Sequence, residues 1–104
     1  MMQVIFTQGA IDDLSDLKQS LKPELWKTTK KELEDKLKFI EKNPLAQPVP
    51  LELQDINSDF RQGLTRYCRI IYEVVEDNIY IYLICNQARD LNAVFFRRMS
   101  QHKI

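Results

Sequence analysis

Arginine is the residue type through which this chain could do chemistry. All six arginines (61, 66, 69, 89, 97 and 98) lie after Phe60, whereas eight of the nine lysines lie before it. A guanidinium grips a phosphate or carboxylate through two parallel hydrogen bonds and keeps its charge at any working pH. Two of the six, Arg66 and Arg69, are set into the most apolar stretch of the chain, LTRYCRIIYEVVEDNIYIYLIC at residues 64–85. Leaving such a charge buried and unpaired costs on the order of several kcal/mol, comparable with the stability of a whole domain. Each must therefore reach solvent or a partner.

The elements that position these arginines follow from hydrophobic periodicity. From Phe60 the period is two, which predicts strands at about 60–65, 69–76 and 79–85 with a two-residue turn at Asp77-Asn78. That register places Ile70, Tyr72, Val74, Ile79, Ile81, Leu83 and Cys85 on one face. Arg69, Ile71, Glu73, Val75, Tyr80, Tyr82 and Ile84 fall on the other. Phe60 and Leu64 are expected on the apolar face, which turns Arg61 toward Arg69 and requires an odd-numbered loop around Arg66-Tyr67-Cys68. Arg89, just past the last strand, reaches the same surface. Guanidiniums beside tyrosines suit a phosphodiester backbone with bases stacking on the rings. The competing structural reading is an Arg61–Glu73 cross-strand pair, with Arg69 tied to Asp90 or to a loop carbonyl.

Upstream, QVIFT (3–7) reads as a strand, and Ala10, Ile11, Leu14, Leu17 and Leu21 predict an amphipathic helix over about 8–20. Pro23 suits the first turn of a second helix, whose Leu25/Trp26, Leu33, Leu37 and Ile40 form one stripe until Asn43-Pro44 ends it. Residues 44–58 hold three of the four prolines and read as an extended connection. A last helix starts at Asp90, a good N-cap, and runs to about Met99 with Leu91, Val94, Phe95 and Arg98 on one side. The whole is expected to be one α+β domain over residues 1–104, with an N-terminal strand and two-helix hairpin packed on an antiparallel sheet and a short C-terminal helix.

Composition narrows the class. The 104 residues are 44% hydrophobic and 29% charged with zero net charge, so bulk charge draws no polyanion, although the part after Phe60 is mildly basic. The longest apolar run, Ile79 to Cys85, has seven residues against the roughly eighteen of a membrane span. The opening MMQVIFTQGAIDDL has no basic segment before its apolar residues, so no secretory signal is expected and the expected location is cytoplasmic. Cys68 and Cys85 lack CxxC spacing and a histidine neighbour and read as small core residues. No metal site and no cofactor is expected.

With this order of elements, the stretch FRQGLTRYCRIIYEVVEDNIYIYLICNQARDLNAVF resembles the RelE/ParE superfamily, toxins of type II toxin-antitoxin modules. The resemblance spans about residues 3–99 and is most specific in YCRIIYEV and ARDLNAVF. For the RelE branch it implies a ribosome-dependent endoribonuclease that cleaves mRNA by attack of the RNA's own 2'-hydroxyl. The protein then has to orient the backbone, stabilise a phosphorane and move protons. Arg69 matches the arginine of the family's Y-R-x-x-Y strand, Arg89 the arginine after the last strand, and Arg61 the first of two strand lysines. These three are the implied catalytic residues, with Arg66, Tyr80, Tyr82 and Glu73 as RNA contacts.

The chain also departs from that pattern. Gly63 stands at the second lysine, Phe95 replaces the closing tyrosine, and His102 is the single histidine. Arginine holds a phosphorane but transfers protons poorly, because its pKa lies far above working pH. Glu73, Tyr80, Tyr82 and His102 are the remaining proton-transfer candidates. The ParE branch implies a different target, DNA gyrase, which asks no acid or base of the toxin. A degenerate member acting only through protein binding is a third reading. Both toxin readings imply a cognate antitoxin, the first adding the ribosome and mRNA as partners, the second gyrase.

Overall fold

A computed structural model describes residues 2–55 and 59–101. Residues 56–58 of the expected connection, and His102, lie outside the described residues. The order along the chain is β1 (Gln3–Phe6), α1 (Gln8–Ser20), α2 (Pro23–Lys42), a one-turn 3-10 helix (Leu51–Leu53), β2 (Phe60–Leu64), β3 (Cys68–Val75), β4 (Asn78–Asn86) and α3 (Leu91–Gln101). The strands form one sheet in the order β1-β4-β3-β2. β1 runs parallel to β4, and the other neighbours are antiparallel. This is the expected α+β arrangement.

Local chemistry sets the helix ends. Thr7 closes β1 and opens α1: its N–H and its hydroxyl both donate to the Ile81 carbonyl, at 3.1 and 3.0 Å. Its Oγ1 in turn accepts the Ala10 N–H at 3.2 Å, the N-cap bond that an otherwise unpaired first-turn donor needs. Pro23 begins α2, where its fixed φ is already helical. Asn43 ends that helix by donating its N–H to Phe39 at 2.9 Å, and Pro44 prevents continuation. Thr29, Leu33 and Ile40 are the buried residues of α2, with Leu37 packed beside them at the margin. Together with Ala10 they cover Cys68, Ile70, Tyr72, Ile79, Ile81 and Ile84 of the sheet.

The opposite face of the sheet is covered as well, which the alternation of β3 and β4 did not predict. Leu53 of the 3-10 turn and Leu91 and Phe95 of α3 bury Phe60, Ile71, Leu83 and Cys85 there. The hairpin register differs from expectation in two places, of which the second, the bulge, produces this core. The hairpin turns at Glu76-Asp77, one residue earlier than expected, with Val75 opposite Asn78 and Glu76 left-handed at φ 57°. Asn78 is drawn into the ladder because β1 pairs with β4 from that residue onward. Further along, Ile71 faces Leu83 but Tyr72 faces Ile81, so Tyr82 is an extra residue, a β-bulge. A single inserted residue exchanges the faces of everything beyond it. Leu83 and Cys85 therefore leave the helix side, and Ile84 replaces them.

β2 differs from expectation for a related reason. Thr65 and Cys68 bond across a two-residue turn, an even-numbered loop, with the Thr65 N–H donating to Cys68 at 3.0 Å. Phe60 then faces the second core, Leu64 is exposed, and Gly63 lies under α2. A Cβ at Gly63 would stand 2.8 Å from Ile40 Cδ1, so only glycine allows α2 this approach to the strand. Cys68 and Cys85 are both buried and free, on opposite faces of the sheet, in keeping with their expected packing role.

Beyond Phe6 no strand among the described residues lies beside the outer edge of β4, and a partly buried ion pair takes its place. Asp13 Oδ2 accepts the Ile84 N–H at 2.9 Å. Arg98 Nη1 donates to the Tyr82 carbonyl at 2.6 Å. The two side chains also pair bidentately, at 2.6 and 3.1 Å, with 13% and 19% of their surfaces exposed. One pair thus satisfies the carbonyl of the bulge residue and the N–H two residues beyond it, and ties α1 to α3. Gly9 makes room for it, since a Cβ there would lie 2.7 Å from the Arg98 guanidinium.

Four substitutions, one of them repeated with Arg98 as alanine, test this arrangement. Asp13→Ala leaves a partly buried guanidinium without its counter-ion and the Ile84 N–H without its acceptor, and should cost about 1–3 kcal/mol in denaturant unfolding. Gly9→Ala should be destabilising by about 1–3 kcal/mol, against the usual gain of alanine in a helix, and much less so once Arg98 is alanine. Ile40→Ala should cost about 2–5 kcal/mol, while Phe39→Ala, at a 46% exposed position, should stay below about 1 kcal/mol. Equal losses at Ile40 and Phe39 would mean that the buried stripe of α2 is assigned to the wrong side.

Candidate functional site

Arg69 lies in β3 between Leu64 of β2 and Cys85 of β4. Its face is the one that carries the second core, so it does not stand in open solvent as expected: its side chain is 18% exposed. Its charge is met by Glu52 of the 3-10 turn, 2.9 Å from Nη1, and Gln62 Oε1 lies 3.5 Å from the same nitrogen. Arg69 Nε is buried without an acceptor among the described residues.

Arg61 does not join it. Because the β2–β3 loop is even-numbered, Arg61 pairs with Tyr72 and faces the helix side of the sheet. There Nη1 donates to the carbonyls of Leu45 and Gln47, at 3.2 and 2.6 Å. The buried Tyr72 hydroxyl donates to Pro44 at 2.5 Å, so the two side chains fasten the chain leaving α2 onto the sheet. Burial pushes the Tyr72 hydroxyl up to about 12, despite the opposing charge of Arg61. Among the described residues neither the expected meeting of Arg61 with Arg69 nor the competing Arg61–Glu73 pair occurs.

Of the other candidates, Arg66 stands apart, whereas Glu73, Tyr80 and Tyr82 lie together. Arg66, exposed in the β2–β3 turn, reaches across to Glu32 of α2 at 3.3 Å and stacks over Tyr67. Tyr82, the bulge residue, packs edge-on against Phe60 and donates to Glu73 at 3.3 Å. Burial, then the Glu73 charge, raises its pKa and keeps it protonated. Tyr80 pairs with Glu73 and is half-buried. Phe95, at the position of the family's closing tyrosine, is 3% exposed and meets Phe60 edge-on at 5.0 Å.

Arg69 stands opposite Cys85 in the β3–β4 ladder, and Arg89 borders a groove along α1 that Cys85 and Asn86 also line. Both guanidiniums act on the Cys85 thiol, which burial nevertheless pushes up to about 11. Arg89 is exposed and borders a polar cleft of about 260 Å³ between α1 and α3, with Asp16, Arg97 and the Asp13–Arg98 pair in its walls. The sequence carried a sign of that pair: Asp13 falls on the inner side of α1, three residues from Ala10, and Arg98 on the apolar side of α3. No such sign marked Glu52, which lies in the stretch read as featureless connection.

The comparisons with known proteins agree with this fold. Residues 4–91 match the family described as the ParE toxin of the type II toxin-antitoxin system parDE. No curated protein sequence matches the chain. Among solved structures, the fold is similar to that in the toxin-antitoxin complex RelBE2 from Mycobacterium tuberculosis. That match has a TM-score of 0.57 at 19% identity and covers 83% of this chain and 98% of that one. With the family pattern running from β1 into the start of α3, the chain belongs to the ParE toxins of type II toxin-antitoxin systems, within the RelE/ParE superfamily.

Proposed function

We propose that this toxin acts by binding its target rather than by cutting RNA, with DNA gyrase, the target implied for the ParE branch, as that target. The observation that carries the reading is the Arg69–Glu52 ion pair. A guanidinium already neutralised at 2.9 Å has to break that contact before it can hold a phosphate. The proton-transfer groups add to the case. Cys85 stays protonated at neutral pH, Tyr82 has a raised pKa and is bonded to Glu73, and the closing aromatic is a buried phenylalanine. A toxin of this kind is held in check by a cognate antitoxin encoded with it, a partner that the family membership supports.

A second reading, the ribosome-dependent endoribonuclease, is favoured by one observation. Of the two arginines at the matching family positions, Arg69 lies opposite Cys85 in the ladder and Arg89 shares a groove with Cys85 on its α1 side. Purified toxin separates the readings. It should inhibit DNA supercoiling by gyrase and leave ribosome-bound mRNA intact. Cleaved mRNA with unimpaired supercoiling would reverse the order. Arg69→Ala should lower the melting temperature measurably, because it leaves Glu52 and Gln62 without their partner. An unchanged melting temperature would mean that the pair contributes nothing to the fold.

A further inference from the structure

Two hollows beside α1 share Asp13, Asp16 and Arg89 and run on as one groove. The first, of about 260 Å³, has Arg97 and Arg98 in its wall, and the second, of about 310 Å³, is floored by Ile84, Cys85 and Asn86. Asp13 and Arg98 neutralise each other there. Arg89 and Arg97 are exposed and have no acceptor among the described residues, and Asp16 is the other acid of the walls. The floor is also an open strand edge. The Gln87 N–H donates to Tyr67 at 2.7 Å, so alternation along β4 turns the peptide groups of Cys85 and Gln87 toward β3 and those of Ile84 and Asn86 outward. Asp13 takes the Ile84 N–H, and the Asn86 carbonyl accepts the Arg89 N–H at 3.0 Å. The Ile84 carbonyl and the Asn86 N–H are left facing the groove.

We propose that this groove is where the toxin binds gyrase, taking an extended acidic segment of the enzyme as a short added strand. The segment's main chain donates to the Ile84 carbonyl and accepts from the Asn86 N–H, and its carboxylates pair with Arg97 and Arg89. Strand addition of this kind draws affinity from backbone bonds and specificity from alternate side chains. Assigning the segment to gyrase rests on the first reading above. The preference for an acidic strand rests on the geometry of the groove alone. An antitoxin, as a lasting partner, is better served by apolar surface. The chain offers that elsewhere on α1 and α2, where Ile11, Leu25 and Phe39 are exposed.

The test measures affinity of purified toxin for gyrase holoenzyme and inhibition of supercoiling, with antitoxin affinity and melting temperature in parallel. Arg97→Glu reverses one charge at an exposed position and should weaken gyrase binding at least roughly tenfold, while antitoxin binding and melting stay unchanged. Asn86→Pro removes the edge N–H and should act alike, whereas Asn86→Ala, which keeps that N–H, should bind gyrase like the unaltered chain. If Asn86→Pro folds poorly, Arg97→Glu carries the test together with a competing peptide. A short peptide alternating valine and glutamate should displace gyrase and shift the Asn86 amide resonance, and one alternating valine and lysine should do neither. Unchanged gyrase affinity in Arg97→Glu and in folded Asn86→Pro, or a loss of antitoxin binding instead, would overturn the proposal. If the unaltered toxin leaves supercoiling unimpaired while the glutamate peptide still binds at Asn86, the groove stands and only the gyrase reading falls.

Discussion

The fold depends on how β4 is satisfied where its neighbour runs out. β1 pairs with only the first part of that strand, and the bulge at Tyr82 leaves the next peptide groups turned toward no ladder. Buried N–H and C=O groups without partners are costly. Asp13 and Arg98 supply one acceptor and one donor while neutralising each other. Such a pair can add little net energy compared with apolar packing, yet its geometry is specific. It fixes where α3 lies, and α3 in turn closes the second core over Phe60, Ile71 and Leu83. Gly9 belongs to the same arrangement, because the guanidinium occupies the space a side chain would need.

That second core decides what the arginines do. With the sheet covered on both faces, the described residues leave no open arginine surface on β2 and β3. Arg61 holds carbonyls of the chain after α2, Arg66 joins the β2–β3 turn to α2, Arg69 takes Glu52, and Arg98 takes Asp13. Arg89 and Arg97 remain exposed beside the cleft between α1 and α3. A protein whose central guanidinium is internally paired, and whose nearby thiol and phenol stay protonated, is better equipped to bind than to move protons in a transition state.

The helices were legible in the sequence because their determinants are local. The apolar stripe of α1 and the proline and asparagine bounding α2 give boundaries that agree with the structure. The Asp90 cap of α3 is likewise in place, its Oδ1 accepting the Ala93 N–H at 3.3 Å. The register of β4 was not legible, because distant residues set it: β1 recruits Asn78, and Asp13 and Arg98 stabilise a bulge that no alternation rule contains. The run Leu83-Ile84-Cys85, apolar at three consecutive positions, was the available sign that this end of the strand is buried on both sides. Of the site, the positions of Arg69 and Arg89 could be read from the family pattern. Their surroundings could not. Loop parity decided the face of Arg61, and Glu52 reaches Arg69 from a separate stretch of chain.

The central claim is that Arg69 serves the fold through Glu52 rather than serving toxicity through phosphate. Replacing both partners at once, Arg69→Met with Glu52→Gln, removes the charge pair without leaving a buried ion, a change often close to neutral for stability. The most direct measurement is growth inhibition by this double variant, expressed without antitoxin, alongside its melting temperature. The account predicts a folded protein that still arrests growth. Loss of toxicity in a protein that melts like the unaltered chain would contradict it and return Arg69 to the centre of the mechanism.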